Sequence, residues 1–181
     1  YLDTFELLDK SEQSFLRELK VDYMMVFGSD VGKKYSRYIA GDTVEMGSIK
    51  NNMVRREKLS RSGVIAFISQ WHQSVELNMG GTLYSFEDFS TKPDGLVVQC
   101  LVNYAKLKNK KLMIIPRCAS NDLRSKEEAY FRGLMGGEPE FLHSSWPNGS
   151  YKAIDSAEIV VAVDSTLGYE SIARGNKTAL F

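Results

Sequence analysis

The sequence predicts an α/β protein with a Rossmann-like three-layer αβα architecture and a mostly parallel sheet, preceded by the end of another α/β domain. From Val64 onward, short apolar runs alternate with segments of helical spacing. The runs are rich in β-branched residues, as in strands that are buried on both faces. The tail from Ile159 to Phe181 reads as strand, turn, helix, turn and strand. Such alternation implies parallel strands with helices on both sides of the sheet.

The first block of the chain carries two predicted strands with helical segments around them. The strands are expected at Tyr23–Phe27, which ends at Gly28, and at Thr43–Met46. Ser11 is a candidate helix cap. Helical spacing links Leu2, Phe5 and Leu8, then Phe15, Leu16 and Leu19, and later Val31, Tyr35, Tyr38 and Ile39. The polar stretch 47–58 that follows is the best candidate for a linker.

The second block begins with a buried-type strand at Val64–Ile68. The segment 70–89 has no clear periodicity and contains Gly80-Gly81, so we expect a long loop there. An amphipathic helix follows, with Pro93 and Asp94 in its first turn. Its apolar positions are Leu96, Val97, Cys100, Leu101, Tyr104 and Leu107.

A strand at Leu112–Ile115 comes next, followed by a helix with clear boundary signals. Ser125-Lys126-Glu127-Glu128 has the pattern of a capping box and predicts the start of that helix, which Gly136-Gly137 should end. A weak strand is expected at Glu140–His143, and a short helix at Ser150–Ser156. These elements complete the alternation that leads into the tail.

Polar residues follow four of the predicted strands. In parallel sheets, ligands bind beyond the carboxyl ends of the strands. The segments at those ends are Ser69-Gln70, Pro116-Arg117, His143-Ser144-Ser145 and Asp164-Ser165-Thr166. We therefore expect residues from four separate segments to converge on one edge of the sheet.

The tail offers a candidate phosphate site. Ser165 and Thr166 stand where a helix over Leu167–Arg174 would begin, and Gly175 would end it. The free N–H groups and partial positive charge of a helix N-terminus attract anions, and two hydroxyls beside them suit a phosphate. The alternative is an ordinary helix cap. Gly168 would permit close approach to a ligand, or pack the helix on the sheet.

Composition narrows the class of protein. Among 181 residues, Lys plus Arg and Asp plus Glu number 23 each, which gives no indication of bulk nucleic-acid binding or of a polybasic membrane patch. No apolar run reaches the length of a membrane-spanning helix. Two cysteines, Cys100 and Cys118, are read as reduced thiols. The chain begins at Tyr1 and stops at Phe181 within an apolar strand, which suggests a fragment.

Several common motifs are absent. The turn Gly28–Lys34 lacks the spacing of a phosphate-binding loop, and no Gly-x-Gly-x-x-Gly or Gly-x-Ser-x-Gly occurs. Two distant histidines, His72 and His143, do not suit a zinc site. We expect no metal and no cofactor apart from a nucleotide-sugar substrate.

Residues Ser150 to Gly175 resemble the last part of GT-B glycosyltransferases, and are most similar to bacterial surface-carbohydrate biosynthesis proteins. Non-hydrolysing UDP-N-acetylglucosamine 2-epimerases share this layout. The segment Gly47–Asn52 resembles the junction between the two Rossmann-like domains of such proteins. The resemblance implies that residues 1–56 are the end of the first domain with its linker. Residues 57–181 would be the nucleotide-sugar-binding domain, truncated at its C-terminus.

In that family the second domain binds the nucleotide of the sugar donor. Carried over, the resemblance implies donor-phosphate contacts at Ser165, Thr166, Leu167 and Gly168, and a ribose or sugar contact at Glu170. The catalytic base of inverting members lies in the first domain, so the catalytic residues stay unassigned.

Other residues on the predicted edge have two interpretations each. Arg117 suits bidentate phosphate recognition, or an ion pair with Asp122 or Glu127. Glu170 has Arg174 four residues later, so a surface ion pair is the alternative to a ligand role. Gln70 and His143 are candidates for contacts to the base or the acceptor, against ordinary loop roles. The aromatic residues of the expected loop could stack on a ligand or close the sheet edge: Trp71, Tyr84, Phe86 and Phe89.

The favoured function is glycosyl transfer from a nucleotide-activated sugar in bacterial surface polysaccharide biosynthesis, with this fragment supplying the donor site and inactive alone. The alternatives are a nucleotide-sugar 2-epimerase and a non-catalytic nucleotide-binding domain. The expected partners are the donor and a glycan or lipid-linked acceptor, with no nucleic acid. The expected location is the cytoplasm, with peripheral association at the inner face of the membrane as an option.

Overall fold

The computed structural model describes residues 19–56, 63–73, 76–79, 82–85, 87–137, 139–142 and 148–181. The chain divides into two compact units, Tyr1–Met53 and Val54–Phe181. The helical segments expected before residue 17, with the cap Ser11, lie outside the described residues. The assignment of these units to the first and second domains of a GT-B protein stays a prediction.

The first unit contains a parallel pair of strands. β1 (Lys20–Val26) pairs with β2 (Ala40–Glu45), and α1 (Ser29–Tyr35) connects them. The order strand, helix, strand agrees with the sequence prediction, although both strands begin three residues earlier than predicted.

The stretch predicted to be a linker contains a short helix, α2 (Ile49–Met53). The Ser48 hydroxyl accepts a hydrogen bond from the Asn51 N–H at 3.3 Å, and the Asn52 side chain donates to the Met46 carbonyl at 2.6 Å. The polar side chains that suggested a linker therefore satisfy backbone groups at the start of a helix.

The second unit contains a five-stranded parallel sheet with the strand order β7-β6-β3-β8-β9. All five residues of β3 are buried, and its alternate side chains enter two different hydrophobic clusters, as a strand covered on both faces requires. The strands are β3 (Val64–Ile68), β6 (Lys111–Ile115), β7 (Glu140–Phe141), β8 (Ile159–Ala162) and β9 (Thr178–Leu180).

Helices cover both faces of this sheet. One hydrophobic cluster joins Ile65 and Phe67 to Val98 and Phe131 of α3 and α4. The other joins Ala66 and Ile68 to residues of α5 and to Leu167 of α6. The helices are α3 (Lys92–Leu107), α4 (Asn121–Met135), α5 (Gly149–Ser156) and α6 (Thr166–Ala173). The predicted Rossmann-like three-layer αβα architecture is confirmed for this unit.

The order of the strands creates a switch point. The chain builds outward from β3 through β6 to β7, then returns to the other side of β3 and continues through β8 to β9. Connections that leave β3 and β8 therefore run to opposite faces of the sheet. In open α/β sheets, ligands bind beside the carboxyl ends of two such strands.

Two local predictions were wrong. The segment expected to be a long loop contains an antiparallel pair, β4 (Glu76–Met79) with β5 (Thr82–Ser85), and a π-helical turn at Glu87–Thr91. The overlooked hairpin signal was Gly80-Gly81, which stands between two short runs of sequence.

The predicted capping box does not start α4. That helix begins at Asn121, four residues earlier, and the Ser125 hydroxyl donates to the Asn121 carbonyl at 2.9 Å. Glu127 is fully buried because it accepts hydrogen bonds from the preceding loop, as described below. Ser125 and Glu128 have the spacing of a capping box, but they lie inside α4 and do not cap its start.

Candidate functional site

Three of the predicted segments meet at the carboxyl edge of the sheet. Ile68 at the end of β3 is in register with Ile115 of β6 and with Ala162 of β8. Gln70, Arg117 and Asp164 each follow these positions by two residues. The register therefore brings the three loops side by side, as the sequence predicted. The fourth segment, with His143, lies outside the described residues.

The N-cap residue of α6 makes no side-chain capping hydrogen bond, and the same is true of the N-cap residues of α1, α3, α4 and α5. Ser165 occupies the N-cap position with an extended backbone, and its hydroxyl makes no capping hydrogen bond. The Ser165 carbonyl accepts the N–H groups of Gly168 and Tyr169 at 2.9 and 3.3 Å. The N–H groups of Thr166 and Leu167 precede any intrahelical acceptor. Two hydroxyls and two amides therefore lie at one helix end, without the side-chain cap that the alternative interpretation of Ser165 predicted.

Gly168 packs α6 onto the sheet. A Cβ at this position would lie 3.0 Å from both Ala162 Cβ of β8 and Leu180 Cδ2 of β9. A side chain would therefore push the first turn of α6 away from the strands. Of the two interpretations of Gly168, packing has direct structural support, and a ligand contact stays a prediction.

Glu170, the predicted ribose contact, lies on α6 one turn further along. Its carboxylate accepts a hydrogen bond from the Tyr151 hydroxyl of α5 at 2.8 Å. The sequence suggested Arg174 as an ion-pair partner of Glu170, but its guanidinium binds Asp155. The two N–O distances are 2.8 and 2.5 Å. This pair is almost fully buried, and Asp155 raises the pKa of Arg174.

The loop after β3 is fastened to the start of α3. The Gln70 N–H donates to Asp94 Oδ2 at 2.5 Å, and the His72 N–H donates to the Thr91 hydroxyl at 3.2 Å. The same hydroxyl donates to the His72 carbonyl at 3.1 Å. Trp71 is 7% exposed and packs in the hydrophobic cluster under α3. Trp71 is therefore a core residue, and the amides of its neighbours Gln70 and His72 are hydrogen-bonded to residues at the start of α3.

Asp94, whose sequence position predicted only a favourable charge in a first helical turn, is a buried carboxyl group. It has no exposed surface, and its Oδ1 has no hydrogen-bond partner among the described residues. Burial raises the pKa of Asp94 to about 7, with the Gln70 amide opposing the shift. At neutral pH this group lies near the midpoint of its titration.

Glu127 holds the backbone of the loop after β6, as Asp94 holds the backbone of the loop after β3. Its two carboxylate oxygens accept the N–H groups of Arg117 and Cys118, each at 2.9 Å. Burial, together with the charge of Glu127, raises the pKa of the Cys118 thiol to about 11. The sequence offered Glu127 as an ion-pair partner for the Arg117 side chain, but the carboxylate binds the backbone.

The Arg117 guanidinium is exposed and forms no ion pair with the residues that the structure describes. Asp122, the other predicted partner, pairs with Lys126 at 3.1 Å. Burial lowers the pKa of His72, and the Arg117 charge adds to that effect. Among the described residues, an exposed cation without an ion pair therefore stands at the carboxyl edge, close enough to the loop after β3 to lower the pKa of His72.

No three His, Cys, Asp or Glu side chains within the described parts of the chain form a group able to hold a metal ion. The described helices also include none that is long and apolar enough to span a membrane.

The model of a protein family described as "putative O-antigen biosynthesis protein" matches residues 3–181. The chain belongs to this family. The match covers both compact units, so membership applies to the whole chain and supports a role in bacterial surface polysaccharide biosynthesis. No curated protein and no solved structure matches the chain.

Membership in the O-antigen biosynthesis family confirms the coarse part of the predicted function. It agrees with the resemblance to surface-carbohydrate proteins that residues Ser150 to Gly175 suggested.

Proposed function

We propose that this member of the O-antigen biosynthesis family binds the nucleotide of an activated sugar, and that it supplies the donor site of a GT-B-type glycosyltransferase. The observation that carries the proposal is the uncapped N-terminus of α6, which starts beside the switch point of a parallel sheet. This is the position at which open α/β sheets bind ligands. The proposed location is the cytoplasm, where nucleotide-sugars are available to such an enzyme.

The donor phosphates would lie against Ser165, Thr166 and the first amides of α6. N–H donors and hydroxyls at a helix N-terminus stabilise negative charge, and the helix dipole adds to the effect. As the glycosidic bond of the donor breaks, charge develops on the departing nucleotide. Fixed donors aimed at that charge would lower the barrier without a metal ion.

Arg117 would contact the same phosphates from the neighbouring loop. The backbone of that loop is fixed by Glu127, while the guanidinium stays exposed and unpaired among the described residues. An arginine held in this way suits bidentate binding of phosphate oxygens. Gln70, whose backbone is fixed by Asp94, would face the base or the acceptor.

Glu170 would accept hydrogen bonds from hydroxyl groups of the donor ribose or sugar. The Tyr151 hydroxyl holds one carboxylate oxygen, and a carboxylate has further lone pairs for a ligand. The catalytic base is unassigned, so the proposal concerns the leaving-group side of the reaction.

A thermal-shift titration with CMP, UDP, GDP and their sugar derivatives tests the proposal. Wild-type protein is compared with the double variant Ser165→Ala/Thr166→Ala. A ligand at about 100 times its dissociation constant should add roughly 2.7 kcal/mol to stability, a shift of several degrees. We expect one nucleotide to produce the shift and the double variant to lose it. The control is Ser125→Ala, whose hydroxyl binds its own helix.

Two results would contradict a donor site at α6. One is the absence of any shift at millimolar nucleotide in folded protein, and the other is an undiminished shift in the double variant. Turnover assays on the intact protein then separate the enzyme classes. Transfer of sugar to an acceptor supports the glycosyltransferase, whereas a change of sugar isomer without acceptor supports a 2-epimerase. Nucleotide binding without either reaction supports a non-catalytic domain.

A further inference from the structure

Two separate attachments hold residues 69–72, the loop after β3, against the start of α3. One is the reciprocal pair of hydrogen bonds between the His72 backbone and the Thr91 hydroxyl, at 3.2 and 3.1 Å. The other is the hydrogen bond from the Gln70 N–H to Asp94 Oδ2 at 2.5 Å. The first attachment uses a hydroxyl and backbone groups, which do not titrate near neutral pH. The second depends on a carboxyl group, so its strength can change with protonation.

The first attachment has a fixed base, because α4 holds Thr91 in place. The Tyr130 hydroxyl donates a hydrogen bond to the Thr91 carbonyl at 2.9 Å, and Thr91 is 4% exposed. Tyr130 reaches this carbonyl because Gly95 has no side chain; a Cβ there would lie 2.5 Å from the Tyr130 hydroxyl oxygen. The start of α3 and the His72 end of the loop are therefore held by groups that do not titrate near neutral pH.

Asp94 has one oxygen that no other group satisfies. The residue is 0% exposed, and its Oδ1 has no hydrogen-bond partner among the described residues. Burial of an ionised carboxylate is costly unless both of its oxygens are paired. A protonated carboxyl group carries no charge and still accepts the Gln70 N–H through Oδ2. The closed loop therefore suits the protonated form of Asp94 better than the ionised form.

The charged groups that face Asp94 do not neutralise an ionised carboxylate. Burial raises the pKa of Asp94, and the like charge of Glu127 on α4 adds to that effect. The oxygens of Glu127 are occupied by two amides of the loop after β6, each at 2.9 Å. Arg117 in that loop acts in the opposite direction. Its guanidinium is exposed and forms no ion pair with a described residue, so water and salt screen its charge.

The other groups around Asp94 are neutral near pH 7. The Ser69 hydroxyl and the Gln70 amide favour its charged form, but burial outweighs them and raises the pKa of Asp94 to about 7. The Tyr130 hydroxyl of α4 stays protonated, because burial and the charges of Asp94 and Glu87 raise its pKa. No group among the described residues therefore supplies a buried positive charge to Asp94.

His72 is the other titratable residue of the loop. Burial lowers its pKa from the usual value of 6.5, and the Arg117 charge adds to this effect. A base whose pKa is lowered in the closed loop favours opening as the pH falls. Asp94, whose pKa is raised, favours opening as the pH rises. The two effects have opposite signs, so a measurement across neutral pH separates them.

We propose that residues 69–72 form a pH-dependent latch, in which protonated Asp94 holds the loop closed and ionisation of Asp94 releases it. In the released state the Gln70 N–H leaves Oδ2, and water reaches both carboxylate oxygens. The His72 end stays attached to Thr91. Gln70 follows Ile68 by two residues at the carboxyl edge, so its release changes the surface that this edge offers to a ligand. The inference does not rest on the donor-site proposal.

Linkage sets the direction and the size of the effect. An aspartate in water has a pKa near about 4, and Asp94 in the closed loop has a pKa of about 7. The equilibrium constant for opening should therefore rise by about tenfold per pH unit between these two values, and then level off.

Amide hydrogen exchange, followed by NMR on the whole chain, tests the inference. The Gln70 N–H exchanges when its hydrogen bond to Asp94 breaks, whereas the Phe67 N–H in the middle of β3 reports unfolding of the sheet. After correction for the intrinsic exchange rate, we expect the protection of Gln70 to fall by about tenfold from pH 6 to pH 8. At each pH it should stay at least about tenfold below the protection of Phe67, because the loop opens while the sheet stays folded.

Two variants form a matched pair. Asp94→Asn keeps an acceptor for the Gln70 N–H but cannot ionise, so the protection of Gln70 should be equal at the two pH values. Thr91→Val removes the hydroxyl that binds His72 and keeps the shape of the side chain. It should lower the protection of Gln70 by the same factor at both pH values and leave the fall with pH unchanged.

Three results would overturn the inference. Equal protection of Gln70 and Phe67 would show that the loop opens only when the sheet unfolds. Protection of Gln70 that stays constant or rises with pH in the wild-type chain would show that ionisation of Asp94 does not release the loop. An equal fall in Asp94→Asn and in wild type would assign the pH dependence to another group. The first two results come from the wild-type chain, so they do not depend on the folding of a variant.

Discussion

The hydroxyl of Tyr151 on α5 donates a hydrogen bond of 2.8 Å to the carboxylate of Glu170 on α6. The Tyr151 ring also lies under the Arg174 guanidinium, 5.2 Å from its carbon to the ring centroid. One aromatic side chain therefore connects the helix that begins at the proposed phosphate site with the helix before it. The carboxylate proposed to bind the ligand is held by a neighbour that is itself 8% exposed.

The first prediction concerns this hydrogen bond. Tyr151→Phe removes the hydroxyl and keeps the ring, so we expect unfolding stability to fall by about 0.5–1.5 kcal/mol. If Glu170 binds the donor, nucleotide-sugar affinity should fall as well, because the carboxylate loses the group that orients it. Affinity is measured by titration calorimetry. Unchanged affinity in Tyr151→Phe and in Glu170→Gln would argue against a ligand role for Glu170.

The second prediction concerns the buried ion pair. Asp155→Ala leaves the Arg174 guanidinium, 4% exposed in the folded chain, without its carboxylate. We expect a loss of about 3–5 kcal/mol in urea unfolding, because an uncompensated charge stays buried. The exposed pair of Lys126 and Asp122 is the control, and Asp122→Ala should change stability by less than about 0.5 kcal/mol.

A double-mutant cycle sharpens that result. Asp155→Leu/Arg174→Met removes both charges, so it should cost clearly less than the sum of the two single substitutions. Strict additivity would show that the two side chains do not act as a pair.

The third prediction concerns the pH dependence of stability. The pKa of Asp94 is about 7 in the folded chain, whereas an unfolded aspartate titrates near about 4. Folding therefore favours the protonated form of Asp94. The resulting contribution to the free energy of unfolding is fully present below the unfolded pKa and is lost as the pH rises through the folded pKa of about 7. Asp94→Asn cannot ionise, so its advantage in stability over wild type should rise from about 1 kcal/mol at pH 5 to roughly 4 kcal/mol at pH 8.

Urea unfolding across that pH range checks this prediction. Asp122→Asn, at an exposed position, should follow the wild-type profile. Parallel profiles for Asp94→Asn and wild type would contradict a raised pKa at Asp94.

The fourth prediction concerns two helical glycines. Gly168→Ala would bring a Cβ within 3.0 Å of Ala162 and Leu180, so we expect a loss of stability; overpacking of this kind typically costs about 1–3 kcal/mol. Gly133→Ala in α4 meets no atom within 4 Å and should stabilise the protein; the usual gain is about 0.4–1 kcal/mol. The same substitution should therefore lower the free energy of unfolding at Gly168 and raise it at Gly133, as measured by chemical denaturation. Equal effects would show that α6 does not depend on close contact with the sheet.

Local pattern was sufficient for most of the second unit. Continuous apolar runs identified β3, β6 and β8, because strands buried on both faces have no polar positions. Glycine C-caps located the ends of two helices: Gly136 has φ +62° and Gly175 has φ +74°. The sequence pattern did not identify elements that are too short to give a specific signal. The hairpin strands β4 and β5, each four residues long, are examples.

Some features of the candidate site could likewise be predicted from the sequence, and others could not. The sequence identified the polar residues that follow β3, β6 and β8, since alternating strands and helices imply which ends share an edge. It missed the buried carboxylates Asp94 and Glu127, which lie in helices and bind the loops of other segments. Nothing in their local sequence marks such contacts, because the partner amides lie 10 and 24 residues away.

The sequence by itself determined the α/β class, the parallel sheet, the edge that carries the polar loops and the neutral overall charge. Those properties depend on periodicity and composition, which are local. Only the tertiary structure decided which groups are paired: that the Ser165 hydroxyl makes no cap for α6, that Arg174 binds Asp155, and that Glu170 is held by Tyr151. Pairing and burial depend on the packing of distant segments, and the same residue types would have allowed other partners.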